Sequence, residues 1–138
     1  MPNSTRVAFT RDAILGEGPL RGLAAGLAAT NAEWVVLVGG DMPDLQPAVL
    51  GEMVRAARET GVVAVSLSDG GAERPLPSVL RTAPAAEAVG VLLEAGRRRL
   101  RDLFAAVSTV VVDEPTWTAL DPDRRTLVDI DEPDDMDR

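Results

Sequence analysis

An α/β fold with a mainly parallel sheet is predicted by three features of this 138-residue sequence. Short apolar runs rich in β-branched residues, such as residues 34–38 (WVVLV), alternate with segments of helical spacing. The connections between them are short and punctuated by Gly and Pro. The strand-like runs are continuously apolar, as expected for strands buried on both faces of a parallel sheet. Residues 1–138 read as one domain, without an internal repeat or a linker.

Each element has a local reason. Residues 6–10 suit an edge strand. Pro19 opens a helix whose apolar positions are Leu20, Leu23, Ala24, Leu27 and Ala28. Residues 34–38 form a buried strand ending in Gly39-Gly-Asp-Met-Pro43. Pro47 opens the next helix, with an inner face of Val49, Leu50, Met53, Val54 and Ala57 and a stop at Gly61. Residues 62–67 are a strand and 68–74 a polar loop turning at Gly70-Gly71. Residues 76–81 are a short strand, which Pro75 and Pro77 assign to an edge or an end of the sheet. Two helices, 83–95 and 97–107, break at Gly96. A strand follows at 109–113, then an irregular stretch at 114–123 with Trp117 as a lid over the core. A last strand spans 126–130, and a helix starts at 131–136.

Composition narrows the chemistry. The net charge of −8 disfavours nucleic acid as a partner. No apolar run approaches the roughly 20 residues of a membrane helix, and no signal-peptide core is visible, which fits a cytoplasmic protein. There is no Cys, no His and no Lys, and all 14 basic residues are Arg. Disulfides, thiolate metal sites, histidine acid–base chemistry and Schiff-base lysines are therefore excluded within this sequence. Carboxylates, guanidinium groups and hydroxyls remain, a set suited to magnesium and phosphate.

Four segments are candidates for that chemistry. Asp41 follows a buried strand, where ligands of open α/β sheets bind, and is a candidate Mg²⁺ ligand. A turn or capping aspartate is the alternative. Asp129 and Asp131 alternate with apolar residues and so share one face. At a separation of about 4 Å their repulsion is about 4 kcal/mol at an effective dielectric of about 20, which a bound cation would relieve. A solvated acidic terminus is the alternative. Gly18 and Gly22 flank a helix start and either admit a base or sugar against the backbone or serve helix packing. Arg97-Arg-Arg-Leu-Arg101 puts Leu100, Leu103 and Phe104 inward on a helix and offers forked donors for phosphate. A solvated basic face is the alternative.

In order and spacing these segments resemble the MobA-like nucleotidyltransferases, the molybdenum cofactor guanylyltransferase family. The resemblance rests on Gly-Pro-Leu-x-Gly at 18–22, Asp-Met-Pro at 41–43, Pro-Leu-x-x-x-x-Arg at 75–81, Gly-x-Arg-x-Leu at 96–100 and Val-Asp-x-Asp-x-Pro at 128–133. It implies a Rossmann-like three-layer α/β/α fold of the nucleotide-diphospho-sugar transferase type. It also implies transfer of GMP from GTP to molybdopterin carrying molybdenum, with release of pyrophosphate. Asp41 would hold Mg²⁺, with Asp129 or Asp131 as a second ligand or positioning group. Gly18 and Gly22 would line the nucleotide site, and Arg98 matches the family's arginine. A molybdoenzyme or another cofactor-synthesis protein is the partner class implied.

The family's opening Gly-Gly-x-Ser-x-Arg-Met-Gly loop and its Asp-Lys are absent from this sequence. The first βα unit is accordingly expected to be missing, and the chain alone is expected to be inactive. Two alternatives stay open: another nucleotidyltransferase of the superfamily, using CTP or GTP with a different phosphorylated acceptor, and a degenerate partner-binding domain.

Overall fold

The computed structural model describes residues 5–10, 19–39 and 44–127. Among these the chain runs β1 (Thr5–Thr10), α1 (Pro19–Ala28), β2 (Trp34–Gly39), α2 (Pro47–Thr60), β3 (Ala64–Asp69), β4 (Ala72–Arg81), α3 (Thr82–Glu94), α4 (Leu100–Ala106), β5 (Thr109–Val112) and α5 (Glu114–Leu120). A 3₁₀ turn follows at Arg125–Leu127. The five strands form one sheet in the order β1-β2-β4-β3-β5. β1 pairs with β2, and β3 with β5, in parallel, while β4 runs antiparallel to β2 and β3. Four strands therefore point one way, and β4 is inserted against them.

Two apolar cores sandwich the sheet. On one face Leu20, Leu23 and Leu27 of α1 meet Val35, Leu37 and Leu80 of the sheet, closed over by α3 and α4. On the other, Val49, Met53 and Ala57 of α2 and Trp117 of α5 meet Val36, Val38, Val65 and Val79. β2 contributes alternate residues to both cores, the expected signature of a doubly covered strand. Each large side chain so buried contributes on the order of 1.5–3 kcal/mol. The layers are the predicted α/β/α sandwich.

Most local signals act as read. Pro19 and Pro47 stand at the starts of α1 and α2. Gly61 ends α2 in the left-handed region at φ 73°, its N–H bonded to the Ala57 carbonyl. Gly96, at φ 82°, separates α3 from α4.

The structure corrects four expectations. β4 is a central strand, ten residues long, rather than a short edge strand. Its residues 72–74 and 79–80 pair with β3 and its residues 78–81 with β2, so Pro75 and Pro77 fall in the register break of the β3 ladder and just short of the β2 ladder. There no ladder hydrogen bond is lost to the missing N–H groups. The Leu76–Pro77 peptide is cis. The polar loop at 68–74 shrinks to a tight hairpin turn on Gly70 and Gly71, both at positive φ, where glycine is at ease. Residues 114–120 are the helix α5, and Trp117 is a fully buried core residue instead of a lid. The Asp113 side chain caps this helix by accepting from the Thr116 N–H at 3.0 Å. Finally, residues 125–127 form a 3₁₀ turn where a strand from 126 was expected. The rest of that strand and the helix at 131–136 lie outside the described residues.

Candidate active site

The parallel strands β1, β2, β3 and β5 all end on one edge of the sheet, at Thr10, Gly39, Asp69 and Val112. Connectivity fixes what else gathers there. Because β1 and β2 are parallel, α1 must return the chain from this edge, so its first turn stands at it. β4 ends at the opposite edge, with Arg81 across from Trp34. α3 then climbs back, delivering residues 95–99 to the carboxyl edge. At this edge the β2–β4 ladder stops at Leu37–Ser78, and Val38 and Gly39 pair only with β1. The buried Ser78 hydroxyl at that last rung has no hydrogen-bond partner. A larger hollow of about 370 Å³, lined by Asn31, Glu33, Arg81 and Thr82 among others, lies at the far, amino edge.

One corner of the carboxyl edge is basic. Gly96 turns the chain into Arg97, Arg98 and Arg99, all exposed. The Arg98 carbonyl accepts the Leu20 N–H at 3.2 Å, tying this loop to the first turn of α1, which contains Gly22. A hollow of about 330 Å³ is lined by Gly96, the three arginines and Asp102, with Arg97 and Asp102 at 3.6 Å. Arg98 therefore sits in a loop before α4, not on a helix as expected; the left-handed Gly96 ends α3 before the arginines begin.

A second cluster links residues 44–46, just before α2, to residues 121–126. The Gln46 N–H, at the cap position of α2, donates to the Thr126 hydroxyl at 3.2 Å across 80 residues of sequence. Arg125 approaches Asp44 at 3.5 Å. The buried Asp121 carboxylate accepts the N–H groups of Arg125 at 3.0 Å and Thr126 at 2.8 Å. Burial pushes the Asp121 carboxyl up, but the Thr126 amide and hydroxyl and the Arg125 amide outweigh it and hold it below its ordinary value.

The turn leading into that cluster is itself pinned. Arg124, at φ 55°, stacks over Trp117 at 5.5 Å and bridges Asp69 at 3.1 Å and Glu114 at 2.5 Å. Glu114 also accepts the Gly70 N–H at 2.9 Å. Its carboxyl is held low by Arg124 and then by that amide. The Trp117 indole N–H donates to the Ser68 carbonyl at 2.7 Å.

The family model described as the MobA-like NTP transferase domain matches residues 2–112. The chain belongs to this family. Curated relatives of the MobA-like chain include proteins named "Probable molybdenum cofactor guanylyltransferase". The one from Chloroflexus aggregans is 30% identical over 122 residues, covering 88% of this chain and 58% of the relative. The one from Mycobacterium avium is 35% identical over 114 residues, covering 79% and 57%. Among solved structures, molybdopterin-guanine dinucleotide biosynthesis protein A from Archaeoglobus fulgidus superposes with a TM-score of 0.74 at 21% identity, covering 88% of this chain and 60% of that one. A Thermus thermophilus 2-C-methyl-D-erythritol 4-phosphate cytidylyltransferase superposes at 0.61 and 17% identity, covering 85% and 65%. Both share the fold. The MobA-like chain spans a little under three fifths of the length of the two curated relatives described.

Of the expected site residues, the MobA-like fold brings Gly22 and Arg98 to one corner. Gly18, Asp41, Asp129 and Asp131 lie outside the described residues. Among the described residues no group of three or more Asp, Glu, His or Cys is arranged to hold a metal. No described helix is long and apolar enough to cross a membrane. Thr126, Asp121 and Arg124 were not singled out from sequence. A threonine in a polar tail carries no periodic signal, and its partner is 80 residues away.

Proposed function

We propose that this chain carries the transfer centre of a molybdenum cofactor guanylyltransferase, moving GMP from GTP to molybdopterin bearing molybdenum and releasing pyrophosphate. The observation that carries the reading is the Gln46–Thr126 link. It joins the residues just after Asp41 to the residues just before Asp129 and Asp131. In the proposal these three aspartates share Mg²⁺. The donor set fits: carboxylates alone, from a sequence without His or Cys, suit a hard cation. When bound, the ion neutralises triphosphate charge and orients the leaving pyrophosphate.

The chain's own residues do the rest. Gly18 and Gly22 let the nucleotide lie against the backbone at the start of α1. Arg98, held by its carbonyl to that helix, offers a planar fork to phosphate oxygens. The attacking phosphate of the acceptor is aligned with the α-phosphorus, so rate comes from positioning and charge stabilisation. The reaction is assigned to the cytoplasm, and a molybdoenzyme or another cofactor-synthesis protein receives the product. The Asp129-x-Asp131 ending favours a second reading, in which CTP or GTP is joined to a different phosphorylated acceptor.

Pyrophosphate release measured with a panel of nucleoside triphosphates and acceptors tests this, using the chain within its full coding sequence. GTP with molybdenum-bearing molybdopterin is expected to turn over, and Asp41→Asn to lower turnover by about 100-fold or more. Turnover only with CTP and another acceptor would select the second reading. No turnover with any pair, or an unaffected Asp41→Asn variant, would remove the transferase assignment.

A further inference from the structure

We infer that the hollow at the amino edge of the sheet is a binding site for a phosphate group, free or as the monoester of a small molecule. It is separate from the edge where the parallel strands end, because β2 begins here at Trp34 and β4 ends here at Arg81. Asn31, Glu33, Arg81, Thr82 and Ala83 are among the residues that line its volume of about 370 Å³.

The start of α3 supplies donors that its own chain does not satisfy. The first four N–H groups of a helix have no partner within it. Here the Arg81 N–H donates to the Val63 carbonyl and the Thr82 N–H to the Glu33 carbonyl, each at 2.8 Å, and Pro84 has no N–H. Among the described residues no group accepts the remaining one, the Ala83 N–H. α3 has no side-chain cap and no acid in its first turn, so its positive end is unbalanced by its own residues. The side chains give an independent sign. Thr82 is 9% exposed, yet its hydroxyl has no hydrogen-bond partner among the described residues, a costly arrangement for a buried polar group. Arg81 adds the charge. Its guanidinium lies 4.5 Å from the centre of the Trp34 ring, and its ion pair with Glu33, at 3.4 Å, is longer than a strong charge-assisted bond. A hydroxyl, a helix-end amide and a planar fork of donors match the acceptor oxygens of a phosphate. Glu33 is the competitor, since a bound phosphate takes Arg81 from it.

Inorganic phosphate and glycerol phosphate are the probes, added at constant ionic strength to the chain within its full coding sequence and followed by calorimetry and amide chemical shifts. Both are expected to shift the Thr82 and Ala83 amides. Equal affinity assigns the free ion to the site, and tighter binding of glycerol phosphate assigns a monoester. Thr82→Val is expected to weaken binding about 10-fold while leaving the stability of the free protein unchanged or raised, because it deletes an unpaired hydroxyl. Glu33→Gln, which releases Arg81, is expected to tighten binding several-fold. Shifts confined to residues 97–99, or seen at no residue, would overturn the site. So would a Thr82→Val variant that binds phosphate as well as wild type or loses stability without it, or a Glu33→Gln variant that binds no tighter.

Discussion

Asp121 is a carboxylate whose surroundings oppose one another. Burial alone would favour the neutral acid, yet three donors from residues 125 and 126 hold the charged form. Its folded-state pKa therefore lies below the ordinary value near 3.8. A carboxyl with a depressed folded pKa contributes stability that is fully present above the unfolded value and lost as pH falls through the folded one. The difference in unfolding free energy between wild type and Asp121→Asn is thus expected to be constant from neutral pH to about pH 5 and to shrink below pH 4. Paired denaturant titrations across that range measure it. A difference that grows as pH falls would show that the carboxyl is not stabilised in its charged form. None of this was visible in the sequence, where Asp121 is one acid among 22. Its role comes from the turn at residues 124–127, whose geometry depends on partners at positions 46, 69 and 114.

Elements were legible where periodicity and punctuation agree. α1, α2 and β2 have strong apolar patterns and clear Pro or Gly boundaries, and they stand within a residue or two of expectation. β4 was misjudged because the edge rule for proline treats a strand as one uninterrupted ladder. Here the prolines fall in a register break of the β3–β4 ladder and short of the β2–β4 ladder, and the strand is free to be central. α5 was missed because seven residues with two threonines and a tryptophan carry little helix propensity. Its usable signals were Asp113 as a cap and Pro115 in the first turn. Tertiary contacts then decide its stability. Trp117→Phe keeps most of the apolar volume but deletes the donor to the Ser68 carbonyl, leaving a carbonyl without that bond. A loss of about 1–3 kcal/mol is expected in chemical denaturation. A neutral substitution would mean that α5 is held by apolar contact alone.

For the whole molecule, the sheet's direction organises everything else. Four strands end on one edge; connectivity brings the start of α1, the arginine loop and the hairpin turn at Gly70-Gly71 there, and Arg124, bridged to Asp69 and Glu114, ties the residue 124–127 turn to it. The strongly acidic chain, with a net charge of −8, concentrates three consecutive arginines at that edge beside the first turn of α1. This is the charge arrangement a phosphate-bearing substrate needs in an otherwise repelling protein. The tie between residues 46 and 126 stands at that edge too. In the proposed function a shared divalent cation would make that edge a transfer centre. The most direct test is the stoichiometry of Mn²⁺ binding by the wild-type chain and by Asp41→Asn and Asp129→Asn variants of confirmed fold. One ion per chain, lost or weakened at least about 10-fold by either substitution, is the predicted result. An ion bound equally well by all three proteins, or by none, would contradict it.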